Sequence, residues 1–77
     1  MPTYKDFKKA VYKSYKAGLK GHDQDEVEKY FKSEEAEEVM RGEYEDMVRM
    51  VKGGDISESV ILTGGAGGCA QCLIMMF

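Results

Sequence analysis

One stretch decides the fold of this chain: TYKDFKKAVYKSYKAGL, residues 3–19. Its apolar side chains recur at steps of three and four residues, which places them along one side of an α-helix. They are Tyr4, Phe7, Val11, Tyr15 and Leu19. Thr3 is a suitable N-cap, and Asp6 three residues later suits the positive end of the helix dipole. The stretch predicts an amphipathic first helix whose apolar stripe needs partners.

Two more helix starts follow this one. Asp23, with Glu26 three residues later, forms an acidic relative of the capping box. Ser33 is a further cap, and the two glutamates after it suit a helix N-terminus. Apolar residues again recur at helical spacing behind both caps: Val27, Tyr30 and Phe31, then Ala36, Val39, Met40, Met47, Val48 and Val51. Gly42 predicts a bend or a break in the last segment, and the glycines at 53–54 predict its end.

These signals predict an all-α fold. We expect a small antiparallel bundle of two or three helices in residues 1–54, because short loops make successive helices neighbours. The chain has 77 residues, enough for one domain. Residues 64–68 read GGAGG, and such a run has large backbone freedom to lose on ordering. We therefore expect a flexible glycine-rich C-terminal tail after the helices.

Charge is distributed unevenly although the net charge is only −3. Residues 1–21 carry six lysines and one acid, residues 22–52 carry eleven acids and five bases, and residues 53–77 carry two acids and no base. A basic segment can bind nucleic acid or a membrane surface. Charge complementarity favours the simpler interpretation that the first helix lies against its own acidic neighbours. We expect no nucleic-acid partner.

The sequence LTGG at residues 62–65 resembles the double-glycine end of the leaders of bacteriocin and lanthipeptide-type precursors. In that family the peptidase domain of an export transporter cleaves after the second glycine. The resemblance implies that Gly64 and Gly65 are the cleavage determinants and that Leu62 is an apolar recognition anchor. It divides the chain into a helical leader (1–54), an extended leader end (55–65) and a core peptide (66–77).

The resemblance also implies what happens to the core peptide. Cys69 and Cys72 would receive a modification from an enzyme that recognises the helical leader. Ordinary lanthionine bridges cannot form within the core, because no Ser or Thr follows Gly65. The uncharged end suits contact with a membrane after release, and hence an antimicrobial or signalling role. Gly68 is a second cut site, less favoured because no apolar anchor precedes it.

Two other interpretations stay open. In the first, residues 59–63 and 69–77 form two strands of a β-hairpin, which would make the chain a small α+β protein-interaction module. In the second, Cys69 and Cys72 form a dithiol redox pair or half a zinc site. The redox hypothesis lacks a preceding βαβ pattern, and His22 is the only other soft zinc ligand.

Nothing in the sequence favours catalysis. The glutamates of residues 34–38 are typical of a solvated helix face, whereas acid–base chemistry needs a shielded cleft. We therefore expect no enzymatic activity, no cofactor and no metal site. Residues 1–20 contain no apolar signal-peptide core, and no apolar run approaches the ~20 residues of a membrane span. We expect a cytoplasmic precursor whose core peptide is secreted.

Overall fold

A computed structural model describes residues 1–65 and 67–77 of the chain. These residues form five α-helices and contain no β-strand. The helices are α1 (Tyr4–Gly18), α2 (Gln24–Phe31), α3 (Glu34–Lys52), α4 (Ser59–Leu62) and α5 (Gly68–Met76). The predicted all-α class is confirmed. Three of these helices lie in residues 1–54, where two or three were expected, and α4 and α5 are additional to that bundle. The alternative β-hairpin is wrong, because both of its predicted strands lie largely in α4 and α5.

The predicted caps begin the first three helices. The Thr3 hydroxyl accepts from the backbone N–H of Asp6 at 3.2 Å, and the Asp6 carboxylate accepts from the backbone N–H of Thr3 at 3.2 Å, which completes a capping box. Asp23 and Ser33 cap α2 and α3 through their side-chain oxygens. Helix α3 continues through Gly42, so the predicted break is wrong: the turns on both sides are packed in the core, and this outweighs the low helix propensity of one glycine.

The core draws side chains from all five helices. Its largest fully buried members are Tyr15, Phe7, Met40, Ile61, Leu73, Val11 and Val27. Helix α1 lies at the centre and packs against the other helices. The Tyr15 hydroxyl, buried with its ring, donates to the backbone carbonyl of Val27 at 2.8 Å, so this polar group is satisfied where α1 meets α2.

The C-terminal segment is part of this core, so the structure does not confirm the predicted flexible tail. Ile61 of α4 and Cys69, Ala70 and Leu73 of α5 are buried. The glycine run does not prevent this packing, because three of its members lie in the turn between the two helices and not within a helix. After this turn the chain folds back onto the first helices, so that α5 packs along α1 and α3.

Candidate functional site

The candidate site is the α4–α5 junction, which contains the predicted cleavage determinants. Gly64 and Gly65 both adopt left-handed backbone conformations, with φ of +66° and +71°. The Gly64 N–H donates to the carbonyl of Ile61 at 3.1 Å, and the Gly65 N–H donates to the carbonyl of Val60 at 2.8 Å. These bonds end α4 by using carbonyls that the helix leaves without a partner. Glycine adopts this conformation without the steric cost that a side chain brings.

Both glycines also lie close to neighbouring helices. A Cβ atom added to Gly64 would lie 3.2 Å from both Cγ2 and the backbone nitrogen of Val11 in α1. A Cβ atom added to Gly65 would lie 3.2 Å from the sulfur of Met47 in α3. The double glycine therefore has a role in the fold itself, since it lets the junction approach α1 and α3. Its backbone is a packed turn, whereas the resemblance predicts an extended leader end.

Leu62 is placed differently from the two glycines. It is the last residue of α4, and its side chain is 54% exposed. Lys9, Ala10 and Lys13 of α1 border the same shallow surface depression. The structure thus presents the predicted recognition anchor at the surface and packs the two predicted cleavage residues beside it.

The two cysteines have different environments. Cys69 lies in the first turn of α5 and is 2% exposed, whereas Cys72 is exposed, and both thiols are free. Burial, followed by the nearby Glu43 carboxylate and the Cys72 thiol, raises the pKa of the Cys69 thiol to about 12. A redox-active dithiol needs a thiol with a lowered pKa that is open to attack. The environment of Cys69 therefore disfavours the dithiol hypothesis.

The remaining candidate ligands do not gather around the cysteines. Within residues 1–65 and 67–77, no three side chains of His, Cys, Asp or Glu are placed to hold a metal ion. The ring of His22 instead packs edge-on against the ring of Phe77, with centroids 5.3 Å apart. Glu34, Glu35 and Glu38 are exposed, as predicted for a solvated face, whereas Glu37 is half-buried and pairs with Lys8 and Arg41.

We expect the two thiols to label at very different rates. In the folded chain at neutral pH, an aromatic disulfide reagent should react quickly with Cys72 only, and denaturant should reveal the second thiol. The rate at Cys69 should rise about tenfold per pH unit from pH 7 upward while the chain stays folded, because the thiolate is the nucleophile and its fraction grows until the pKa is reached. Mass spectrometry of the labelled chain measures both sites. Equal rates at pH 7 would contradict the described packing of α5.

Helix α5 has an unusual surface. It carries no charged side chain, unlike α1, α2 and α3. One side is buried through Cys69, Ala70 and Leu73, and the opposite side exposes Cys72 and Met75, the latter to 78%. Amphipathic helices normally place charged groups on the outer face. The fold therefore leaves apolar surface of α5 uncovered, a feature that marks binding surfaces when it is contiguous.

The fold and the junction define a small all-helical domain with an uncharged helix docked against a basic one. No helix in the described part of the chain combines the length and the apolarity needed to cross a membrane. No family model matches the sequence, and neither a curated protein nor a solved structure matches it significantly.

Proposed function

We propose that the chain is the precursor of a ribosomally synthesised, modified peptide and has no catalytic activity of its own. Residues 1–65 act as a folded leader that a modifying enzyme recognises in the cytoplasm. Residues 66–77 are the core peptide, which is modified at Cys69 and Cys72, cleaved after Gly65 by a peptidase-containing transporter and secreted. The observation that carries the proposal is the junction itself: LTGG at residues 62–65 is followed, from Gly68, by a helix that has no charged side chain and exposes Met75 and Met76.

The surface around the junction supports this proposal. The side chain of Leu62 is exposed, and the residues of α1 that border the same depression are Asp6, Lys9, Ala10 and Lys13. The exposed side of α5 has no charge that would oppose transfer to a modifying enzyme or, after release, to a membrane. A released core of this composition fits an antimicrobial or signalling peptide.

The packing of the junction adds a release step to the proposal. A peptidase that recognises a double glycine binds extended backbone in a narrow cleft, whereas Gly64 and Gly65 form a left-handed turn against Val11 and Met47. The turn and α5 must therefore leave α1 and α3 before the bond after Gly65 can be cut. We propose that binding of the leader by the modifying enzyme releases the turn and α5 from α1 and α3.

The test compares Leu62→Gln with Met50→Gln in the organism that encodes the chain. Both residues are exposed leader side chains, so both variants should keep their unfolding free energy within ~0.5 kcal/mol of the parent. The exact mass of every form in cells and medium is measured while the neighbouring genes are expressed. The proposal predicts a fragment that begins at Ala66 from the parent and from Met50→Gln, and its loss from Leu62→Gln. A full-length, unmodified parent chain that stays in the cell would overturn it.

A second candidate function is a small helical protein-interaction module. It is favoured by the packing of the double glycine, because the contacts of Gly64 with Val11 and of Gly65 with Met47 explain both glycines without any cleavage. In this case the exposed apolar side chains near the end of α5 (Met75, Met76 and Phe77) would bind a partner protein. The same mass measurement separates the two functions, since a module stays intact and unmodified.

A further inference from the structure

Leu62, the proposed recognition anchor, shares a shallow surface depression with side chains of α1. The lining of this depression consists of Asp6, Lys9, Ala10, Lys13 and Leu62. Leu62 is far from the other four residues along the chain, so the depression exists only while α4 is packed on α1. A partner that binds Leu62 in the folded chain therefore also meets the surface of α1.

The packing of α4 gives Leu62 a fixed place beside α1. The preceding residue, Ile61, is fully buried, and Gly64 lies close to Val11 of α1. The side chain of Leu62 is nevertheless exposed, because it lies on the opposite side of α4 from the core. The depression is thus held by buried contacts on either side of residue 62.

Two lysines of α1 form ion pairs within the chain. The Nζ atom of Lys8 lies 2.8 Å from Oε2 of Glu37, and that of Lys16 lies 3.6 Å from Oε1 of Glu28. These pairs join α1 to α3 and to α2, as charge complementarity between neighbouring segments predicts. They leave the lysines of the depression unexplained.

The lysines of the depression are Lys9 and Lys13. Both are exposed, and neither forms an ion pair with any residue that the structure describes. They are four residues apart, which places them one helical turn apart on the same side of α1. Two ammonium groups that are available to a partner therefore lie beside the exposed apolar side chain of Leu62.

Asp6 is the acidic member of the lining, and its carboxylate is engaged in the capping box. It accepts hydrogen bonds from the backbone N–H of Thr3 at 3.2 Å and from the Thr3 hydroxyl at 3.0 Å. These bonds, and then the charges of Lys9 and Lys5, lower the pKa of Asp6, so it is ionised at neutral pH. Two lysines and one carboxylate still leave the depression with a net positive charge.

We propose that Lys9 and Lys13 determine the specificity of cleavage after Gly65, because they bind acidic side chains of the peptidase that recognises Leu62. This inference rests on the function proposed above. The partner surface that fits the depression has an apolar recess for Leu62 and carboxylates beside it. The reaction is a hydrolysis: one water molecule is consumed, the peptide bond breaks, and a carboxylate on Gly65 and an amine on Ala66 form.

In this proposal the peptidase recognises a folded surface as well as a linear sequence. Exposed charges act mainly on the association rate and on the choice of partner, whereas an apolar anchor such as Leu62 contributes affinity. The turn at Gly64 and Gly65 is not part of the depression. The peptidase can therefore stay bound to α1 and α4 while the turn opens, with Ile61 still in the core.

The experiment follows, by exact mass, how fast the fragment that begins at Ala66 appears after induction in the organism that encodes the chain. Lys9→Gln/Lys13→Gln should slow this by on the order of fivefold, because two exposed ion pairs are lost. Lys9→Arg/Lys13→Arg keeps both charges and should stay within about twofold of the parent. The matched control Lys29→Gln/Lys32→Gln removes the same charge from exposed positions at the end of α2 and should also stay within about twofold. Circular dichroism and urea unfolding check that every variant folds as the parent does.

The outcomes separate this inference from the function on which it rests. If the parent is cut and the two glutamine double variants are slowed equally or not at all, the inference is overturned and the proposed function stands. If no form of the chain is cut, both are overturned. Loss of the modification in Lys9→Gln/Lys13→Gln would assign the two lysines to the modifying enzyme and overturn the inference. Attachment of the uncut chain to membranes through these lysines, in cells without the transporter, would assign them to lipid and overturn it as well.

Discussion

Replacement of Leu73 by alanine is expected to lower the unfolding free energy of the whole domain by about 3 kcal/mol. Leu73 belongs to α5, and its side chain is fully buried in a core shared with α1. Truncation removes apolar contacts and leaves a cavity, and the loss is a large fraction of the stability of so small a domain. Urea unfolding followed by circular dichroism measures the effect.

Met75→Ala is the matched control for this prediction. Met75 lies on the same helix, is also replaced by alanine, and is 78% exposed. The unfolding free energy of Met75→Ala should stay within ~0.5 kcal/mol of the parent's, because the Met75 side chain buries little surface. If Leu73→Ala were as mild as Met75→Ala, α5 would not contribute to the fold, and the C-terminal segment would be the flexible tail that the glycine run predicts.

The second large effect is expected at the double glycine. Gly64→Ala should destabilise the domain by at least ~2 kcal/mol for two separate reasons. Its φ of +66° is unfavourable for any residue with a Cβ atom, and the new Cβ would press against the backbone nitrogen of Val11, which cannot rotate away as a side chain can. Equilibrium unfolding again measures the change.

Gly54→Ala separates these two causes. Gly54 also has a positive φ, of +81°, but no described atom lies within 4 Å of the position of its Cβ. The variant should therefore show the conformational cost alone, about 1–2 kcal/mol. Gly64→Ala should exceed it by ~1 kcal/mol or more, from overpacking. Equal losses would show that Gly64 is needed only for its backbone conformation and not for its close approach to α1.

The expected destabilisation by glycine substitutions determines which residue is suitable for a mutational test of cleavage. A glycine variant at 64 or 65 disturbs the fold, so the loss of a cleaved product would not distinguish a damaged recognition site from a damaged junction. Leu62 is free of this problem because it is exposed at the end of α4. The function proposed for the junction is therefore tested at Leu62, and the packing of the junction is tested at Gly64.

The first three helices could be predicted from the sequence because their signals are local. A cap such as Thr3 and a stripe at steps of three and four residues each act within one helix, and both are present in the structure. The break predicted at Gly42 is wrong, because helix propensity describes one residue alone. The packing of the turns on either side of Gly42 keeps α3 continuous.

Helix α5 was harder to predict for a physical reason. Periodicity reveals a helix only when its two sides differ clearly in polarity, and the exposed side of α5 carries a single polar residue, Gln71, among apolar ones. A usable signal was present in the spacing of Cys69, Ala70 and Leu73, which places them on one side of a helix. The close approach of Gly18 to Ile74 was not predictable from α1 alone, because it depends on a residue far along the chain.

The role of the double glycine also could not be decided from the sequence alone. A leader cleavage sequence and a packed left-handed turn both use the backbone freedom of glycine, so LTGG predicts either one. The charge of α1 was evident in the sequence, but the pairing of each lysine was not. Lys8 pairs with Glu37, 29 residues away, and no rule of local spacing identifies such a partner.

The docking of α5 against the other helices is the central feature of this fold, and hydrogen exchange of the full-length chain measures it. The Gln71 N–H donates to the carbonyl of Gly67, and the Phe77 N–H donates to that of Leu73. If α5 is docked as described, the amides of residues 71–77 exchange much more slowly than in an unfolded peptide, although α5 still opens more readily than α1. Exchange of these amides at the unfolded rate, while α1 stays protected, would contradict the account.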